Sequence, residues 1–314
     1  MRKGIMKMYQ KMNWFRKKVT VFALAGVMAA GLSAPAFAAH TQTTASGVTE
    51  GSAVAASTAI VKAAAVKKGW VKKSGKWYYY KSGKKVTGLK KISGKYYYFN
   101  KKGVMQSGKQ SINGFTYYFK KTSDKKAAAL TNTTKKIGKK TYYFSSKGRG
   151  FLSVGKKKGN QAVAAVMDGV KFSSGMTNAK KQKKIYTYIV NKFSYMAAED
   201  PDLSGKAWIY TCAYNMVYEG DAKCFNYAAL TGLCFRALGF DAKILTGTAL
   251  HPLATDSASQ TQHAWVVITK NGTDYVYDTL YDDVNGKSGL QFFGKTYAQI
   301  KSSQGSVYTV EKTF

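Results

Sequence analysis

The chain has 314 residues, with 50 Lys+Arg against 15 Asp+Glu and a formal net charge of +35. Hydrophobic residues make up 45% of the chain, which is enough to bury a core and excludes a wholly disordered protein. The length allows one or two domains. So large a positive charge favours an anionic partner, such as a nucleic acid, a membrane surface or an acidic polymer.

The positive charge is concentrated in one part of the chain. Residues 1–38 contain seven Lys+Arg and no acid, and residues 39–66 are neutral overall. Residues 67–159 contain 27 Lys+Arg against one acid, whereas residues 160–314 contain 15 against 13. The sequence therefore predicts a strongly basic module and a nearly neutral module behind a basic leader.

The leader has the features of an export signal. Its basic residues precede an uncharged run that ends in Ala-Phe-Ala at residue 38, the pattern read by signal peptidase. A membrane anchor is the alternative, but glycines and Pro35 weaken the second half of the run. We predict a signal peptide over 1–38, an Ala/Ser/Thr-rich linker over 39–66 and a secreted protein that is not held in the membrane after cleavage. Export disfavours nucleic acid as the partner.

The basic module contains a repeat of about twenty residues. A turn glycine followed by aromatic residues recurs at 74–80 (SGKWYYY), 93–99 (SGKYYYF), 113–119 (NGFTYYF) and 137–144 (IGKKTYYF). The glycines are spaced by 19, 20 and then 24 residues, so the last segment follows a longer insert. This pattern predicts an all-β array of stacked hairpins over residues 67–159.

These segments resemble the cell-wall-binding repeats, of choline- or glucan-binding type, of exported Gram-positive proteins. The resemblance covers about residues 68–155 and includes residues 86–89 (VTGL). It implies a wall-associated protein that binds a polymer through aromatic side chains. We expect these contacts from Trp70, Trp77, Tyr79, Tyr97, Tyr117 and Tyr142.

The repeats depart from the choline-binding pattern at positions that affect ligand choice. Choline-binding members build cages from tryptophans of consecutive hairpins, as cation–π recognition requires. Here Leu89 stands where the next unit would have Trp, and Tyr96 and Phe115 stand at positions equivalent to Trp77. These departures disfavour choline, and the many lysines favour an anionic wall polymer or polysaccharide as the partner. One alternative is that the aromatic residues only pack the array and the lysines only keep it soluble; RNA binding is a weaker one.

The neutral module has helical and strand periodicity. Its apolar spacing predicts helices near 185–193 and 208–217 and, after a third helix, strands at 242–246, 264–269 and 275–278. Asp221 is expected to cap the third helix, which places Cys224 in its first turn and ends at Gly239. A thiol there faces unpaired N–H groups and the positive end of the helix dipole, which favour the thiolate.

A nucleophilic thiolate needs a histidine beside it and a third group to orient the histidine. A hairpin with its turn at 270–274 brings His263, at the head of one strand, close to Asp278, at the tail of the next. We predict that Cys224, His263 and Asp278 form a catalytic triad. Cys212 and Cys234 are expected to be core residues, with a disulfide between them as the alternative.

This region resembles the transglutaminase-like, papain-related superfamily over about residues 183–283. Residues 224–230 (CFNYAAL) match its nucleophile helix, 263–266 (HAWV) its histidine strand, and Asp278 its aspartate. The resemblance implies an α+β domain over 160–314, with the nucleophile helix packed on an antiparallel sheet. Ala222 and Thr279 replace the Gly and Pro that many members have.

The combined hypothesis is an exported thiol acyl-transfer enzyme that acts on a protein or peptide substrate and uses no cofactor. A zinc site is not expected, because Cys224 lacks close-spaced companion ligands. The Cys224 N–H supplies one oxyanion donor, and Trp208 and Tyr210 are candidates for the second. The acceptor stays open between an amine, which gives crosslinking, and water, which gives proteolysis or deamidation. The alternative is a non-catalytic wall-binding or adhesive protein that uses the fold as a scaffold.

Overall fold

The computed structural model describes residues 67–121, 126–250, 260–286 and 289–314. All of these ranges lie within one compact unit that extends from Ala63 to Phe314. The predicted signal peptide and linker lie outside the described residues, as does His251, which the sequence places in a loop. Within the described ranges, no helix is long and apolar enough to cross a membrane.

The repeats form β-hairpins, as their turn glycines predict. Their strands are β1 (Gly69–Lys73), β2 (Lys76–Lys81), β3 (Lys84–Lys85), β4 (Gly88–Ile92), β5 (Lys95–Phe99), β6 (Met105–Gln106), β7 (Gly108–Ile112), β8 (Phe115–Phe119), β9 (Thr133–Ile137), β10 (Lys140–Phe144) and β11 (Gly150–Leu152). The first hairpin closes through Ser74 and Gly75, which both have positive φ, 47° and 69°. Such a two-residue turn matches the twist of the strands, and glycine adopts positive φ without strain.

The hairpins assemble into three sheets. The first two units form three-stranded sheets of order β1-β2-β3 and β4-β5-β6, and the last two units join in a five-stranded sheet of order β7-β8-β11-β10-β9. Phe119 of this third sheet is completely buried. It belongs to a hydrophobic cluster that begins at Ile112 and continues through the helical region to Leu280. The last two hairpins therefore share one core with the region that follows them.

The C-terminal region combines six helices with a five-stranded sheet in the part of the chain that the structure describes. The helices are α1 (Lys157–Gly169), α2 (Asn178–Lys192), α3 (Ala207–Tyr218), α4 (Cys224–Leu238), α5 (Thr279–Val284) and α6 (Tyr297–Gln304). The strands are β12 (Ala242–Leu250), β13 (Gln260–Lys270), β14 (Thr273–Tyr277), β15 (Phe293–Lys295) and β16 (Tyr308–Thr313). All pairs are antiparallel, in the order β15-β14-β13-β12-β16.

Helix α4 lies at the centre of this region. It packs against β12 and β13 and also against α1, α2 and α3. Gly232 permits the close approach to the sheet, because a Cβ there would lie 2.4 Å from Cγ1 of Ile244. The helix ends at Gly239 in the left-handed conformation, φ 95°, as the sequence predicts. The predicted α+β fold, with helix α4 packed on an antiparallel sheet behind a hairpin array, is confirmed.

Two local predictions are wrong. Lys223, not Asp221, is the N-cap residue of α4. Asp221 instead accepts a hydrogen bond from Asn215 Nδ2 at 3.1 Å, while the Lys223 N–H donates to Asn226 Oδ1 at 3.1 Å and closes the first turn. Strand β13 begins at Gln260, so His263 lies inside the strand rather than at its head. Pairing with β12 from Gln260 to Ile268 makes the strand start before His263.

Candidate active site

Cys224 is the first residue of α4, and it is only 3% exposed. Its Sγ lies 4.0 Å from the carbonyl oxygen of Gln262, which places the thiol beside β13. The first N–H groups of a helix have no acceptors within the helix, so the start of α4 offers donors next to the sulfur. The packing of α4 on β13 thus brings the predicted nucleophile to the residue that precedes His263.

Asp278 accepts three hydrogen bonds in a buried position. Its Oδ2 accepts from His263 Nε2 at 2.6 Å and from the Tyr308 hydroxyl at 3.0 Å. Its Oδ1 accepts from the backbone N–H of Tyr281 at 3.1 Å, which makes Asp278 the N-cap residue of α5. His263 and Asp278 are 3% and 1% exposed. The carboxylate is therefore held in one orientation toward the imidazole.

The surroundings of His263 favour its protonated form. Burial opposes the charge, but the Asp278 carboxylate and, after it, the Cys224 side chain outweigh burial and raise the pKa of His263 to about 10. Because Nε2 is bonded to Asp278, Nδ1 is the ring nitrogen left to exchange a proton with Cys224. A charged imidazole between a carboxylate and a thiol is the arrangement that activates a cysteine nucleophile.

Aromatic rings fix the plane of the imidazole. The His263 ring stacks on Tyr281 with centroids 4.3 Å apart and an interplanar angle of 16°, and it lies parallel to Trp265 at 6.0 Å. Tyr308 lies at 6.1 Å with its plane tilted by 44°. The segment that contains Asp278 thus supplies the orienting carboxylate and, one helical turn later, the stacking ring.

Two further buried carboxylates hold α5 in place. Asp282 accepts hydrogen bonds from the Tyr186 hydroxyl of α2 and the Phe292 N–H, and burial raises the pKa of Asp282 to about 6. Asp283 accepts from the Tyr227 hydroxyl of α4 at 2.7 Å. The sequence analysis missed these groups, although adjacent acids in an apolar stretch (DTLYDDV) signal buried carboxylates.

Comparison with protein families assigns both parts of the chain. The transglutaminase-like superfamily matches residues 169–277, which include Cys224 and His263 and end one residue before Asp278. The choline-binding repeat matches residues 86–129, and the cell wall binding repeat matches residues 68–83. The chain contains choline-binding repeats followed by a transglutaminase-like domain. The repeats indicate a protein associated with the cell wall. No curated protein matches the chain.

Solved structures of choline-binding proteins match part of the chain. Choline binding protein F from Streptococcus pneumoniae is 32% identical over 28% of this chain and 30% of its own length, with a TM-score of 0.24. The choline binding domain of Spr1274 from the same organism is 31% identical over 21% of this chain and 82% of its own, with a TM-score of 0.18. The cell wall endolysin from phage Cp-1 is 26% identical over 28% of this chain and 25% of its own, with a TM-score of 0.19. The chain thus spans less than a third of choline binding protein F.

The transglutaminase-like domain accommodates its two departures from the family pattern. Thr279, which replaces a common Pro, pairs its hydroxyl with that of Thr231 on α4 at 2.9 Å in the buried core. Ala222 is 3% exposed and forms an isolated β-bridge with Met196. Both residues therefore have packing partners close to the candidate site.

Trp208 is the better of the two candidates for the second oxyanion donor. Its ring meets Phe225, the neighbour of Cys224, edge-on with centroids 5.8 Å apart. Its Nε1 is buried and has no hydrogen-bond partner among the described residues. A buried N–H without an acceptor is uncommon, because leaving it unpaired costs free energy. Tyr210 instead lies against Gly159 of α1.

The other two cysteines of the domain are buried and unpaired, so no disulfide joins them. Burial, followed by the charges of Asp221 and Cys224, raises the pKa of Cys212 to about 12. Burial also raises the pKa of Cys234. Both thiols are therefore held neutral, as core residues are expected to be.

The aromatic residues predicted to bind polymer differ in exposure. Tyr97 and Tyr117 are buried, at 7% and 4% exposure, so they offer a partner little surface. Tyr142 is half-buried and lies under the Lys109 ammonium, 5.6 Å from its ring centroid. The other three form one group in the first hairpin: Trp70, Trp77 and Tyr79.

A lysine-lined cleft of about 730 Å³ lies on the transglutaminase-like domain. The sequence predicts a nearly neutral net charge for this domain. The cleft opens along α2 and is lined by Lys171, Lys180, Lys183, Lys184 and Lys192 together with Met176 and Tyr188. No acidic residue lines it among the described residues. The net charge of a domain hides such a patch, because acids elsewhere balance it.

Proposed function

We propose that the chain is an exported, cell-wall-associated thiol acyl-transfer enzyme that acts on carboxamide or peptide bonds through Cys224, His263 and Asp278. The observation that supports this most is the buried His263–Asp278 contact of 2.6 Å, with Cys224 as the second partner of the imidazole. In this proposal residues 1–38 direct export, residues 67–159 bind the cell wall and residues 160–314 catalyse the reaction.

The proposed reaction begins from a Cys224 thiolate beside the His263 imidazolium, whose Nδ1 carries the proton that the thiol has given up. The sulfur attacks the carbonyl carbon, and the N–H groups of Cys224 and Trp208 Nε1 stabilise the oxyanion. The imidazolium then protonates the departing amine or ammonia, leaving a thioester on Cys224. Throughout, Asp278 stabilises the positive charge on the ring. Attack by an amine gives a crosslink, and attack by water gives hydrolysis.

The proposed wall partner is an anionic polymer. The basic repeats and the lysine-lined cleft on α2 present positive charge on both parts of the chain. Such attraction weakens with salt, because the Debye length falls from about 10 Å at 0.1 M to about 3 Å at 1 M. Binding to isolated walls should therefore drop steeply between these salt concentrations. Binding that does not change with salt would contradict the electrostatic part of the proposal.

One observation favours the non-catalytic alternative. Cys224 is 3% exposed, so a substrate carbonyl reaches the sulfur only if neighbouring side chains give way. In that case the transglutaminase-like domain would be a rigid scaffold behind a wall-binding array.

Amine transfer separates the two functions. The wild-type chain, Cys224→Ala and the control Cys212→Ala are incubated with a glutamine-bearing protein and a labelled primary amine. Amine incorporation by the wild type and by Cys212→Ala, but not by Cys224→Ala, would establish transfer. Cleavage or ammonia release that depends on Cys224, without incorporation, would establish hydrolysis. Equal results for all three chains on a broad substrate panel would support the scaffold.

A further inference from the structure

Trp70 and Trp77 form an open corner on the first hairpin. Their rings are nearly perpendicular, with an interplanar angle of 88° and centroids 6.2 Å apart. Behind Trp70, Tyr79 and Tyr97 pack edge-on at 5.1 Å and 4.7 Å. We call the two indole rings the tryptophan corner. Its faces have the negative potential that attracts a cation.

The corner already holds a cation from the same chain. The Lys126 ammonium lies 5.1 Å from the ring centroid of Trp70 and 5.4 Å from that of Trp77. Both distances are within the range of about 6 Å in which an ammonium and an aromatic face attract each other. The Lys126 ammonium therefore lies where two faces converge, the position that a small ammonium ligand would take.

Backbone contacts of the longer insert bring Lys126 to this position. The Lys120 N–H donates to the Ala128 carbonyl at 3.0 Å, and the Ala129 N–H donates to the Tyr96 carbonyl at 2.8 Å. Ala128 packs in the same cluster as Trp70. Ala128 and Ala129 are thus held by contacts to all three of the first hairpins. Lys126 is two residues from this anchor.

The same pairing of lysine with an aromatic face recurs through the array. Further pairs are Lys85 over Tyr78, Lys67 over Tyr80, Lys91 over Tyr96, Lys135 over Tyr118, Lys109 over Tyr142 and Lys72 over Trp77. Their ammonium groups lie between 4.6 and 5.9 Å from the ring centroids. Lys126 differs from these in contacting two rings of another hairpin at once.

We propose that Lys126 is an intramolecular ligand of the tryptophan corner and determines what the repeats bind. By filling the corner with its own ammonium, the chain closes it to free quaternary ammonium groups such as choline. Lys126 is itself an exposed residue, so its charge adds to the positive surface offered to an anionic polymer. The inference deepens the proposed wall attachment and rests on it only for the identity of that polymer.

Choline titration of the full chain tests the corner directly. Lys126→Ala removes the internal ammonium, and Lys121→Ala removes an exposed lysine of the same segment for which no ring contact is seen among the described residues. Binding is measured by calorimetry and by tryptophan fluorescence, with sodium chloride matched to the choline chloride concentration. We expect Lys126→Ala to bind choline at least tenfold more tightly than the wild type and Lys121→Ala to match the wild type.

A double variant tests whether the tighter choline binding occurs at the tryptophan corner. Adding Trp77→Ala to Lys126→Ala should abolish the new binding, and circular dichroism should show that both proteins are folded. The proposal would be overturned if Lys126→Ala bound choline no more tightly than the wild type. It would also be overturned if the tighter choline binding persisted after the loss of Trp77. Amine transfer and salt-sensitive wall binding are measured separately, so failure of the proposed function is distinguishable from failure of this inference.

Discussion

Replacing Asp278 by Asn tests the charge arrangement of the candidate site. Asparagine keeps an oxygen to cap α5 through the Tyr281 N–H, but it places an amide where Oδ2 accepts from His263 and Tyr308. The rise of the His263 pKa from 6.5 to about 10 corresponds to roughly 5 kcal/mol in favour of the protonated ring, of which Asp278 supplies the larger part. Losing the anion from a buried pair should cost about 3–5 kcal/mol of folding free energy.

The reactivity of Cys224 reports the same loss without any knowledge of the substrate. In Asp278→Asn, burial is no longer opposed by the carboxylate, so the His263 pKa falls and the imidazolium is lost. Alkylation of Cys224 by iodoacetamide at pH 7 should therefore slow by on the order of 100-fold. Mass spectrometry of the Cys224 peptide measures the rate across pH. Asp274→Asn, in the same hairpin, is the control and should react like the wild type. A folded Asp278→Asn protein that reacts at the wild-type rate at every pH would refute the reasoning.

Three other predictions concern the same site. Tyr308→Phe removes the hydroxyl that donates to Asp278. It should lower the free energy of unfolding in urea by about 1–3 kcal/mol and slow the alkylation of Cys224. Tyr195→Phe, at an exposed position, should change neither. Because the His263 pKa is raised on folding, its stabilising contribution is complete below about pH 6.5 and disappears as pH rises toward 10. Urea unfolding between pH 6.5 and 9.5 should therefore show a steeper loss of stability in the wild type than in Asp278→Asn; equal slopes would count against the ion pair. Gly247→Ala places a Cβ 2.0 Å from the Thr309 carbonyl oxygen and should displace β16, costing at least about 1–3 kcal/mol, while Gly205→Ala, where a Cβ has open space, should cost far less.

Local sequence patterns were sufficient to predict the hairpins and most of helix α4. A two-residue turn requires positive φ, and the Ser-Gly and Asn-Gly pairs of the repeats provide it at positions the sequence reveals. Gly239 likewise ends α4 because it adopts the left-handed conformation. Asp221 was a poor guide to the start of α4, because the Asn226 side chain closes that turn from inside the helix.

Pairing between neighbouring strands also made one part of the site predictable. His263 and Asp278 are joined by a short hairpin, so their proximity follows from the alternation and turn of one local segment. Their burial and the raised pKa of the imidazole do not follow from that segment, because both depend on what packs over it.

The sequence by itself determined the repeat, its turns, the uneven distribution of charge and the order of the three reactive residue types. Only the tertiary structure decided which distant groups pack around them: Tyr308 reaches Asp278 from the last strand, and Trp208 of another helix contacts Phe225, the residue after Cys224. It also decided that Lys126, one of many similar lysines, meets Trp70 and Trp77. Such contacts join residues far apart in the chain, where no periodicity or turn pattern fixes the distance, so they exist only once the core has brought the elements together.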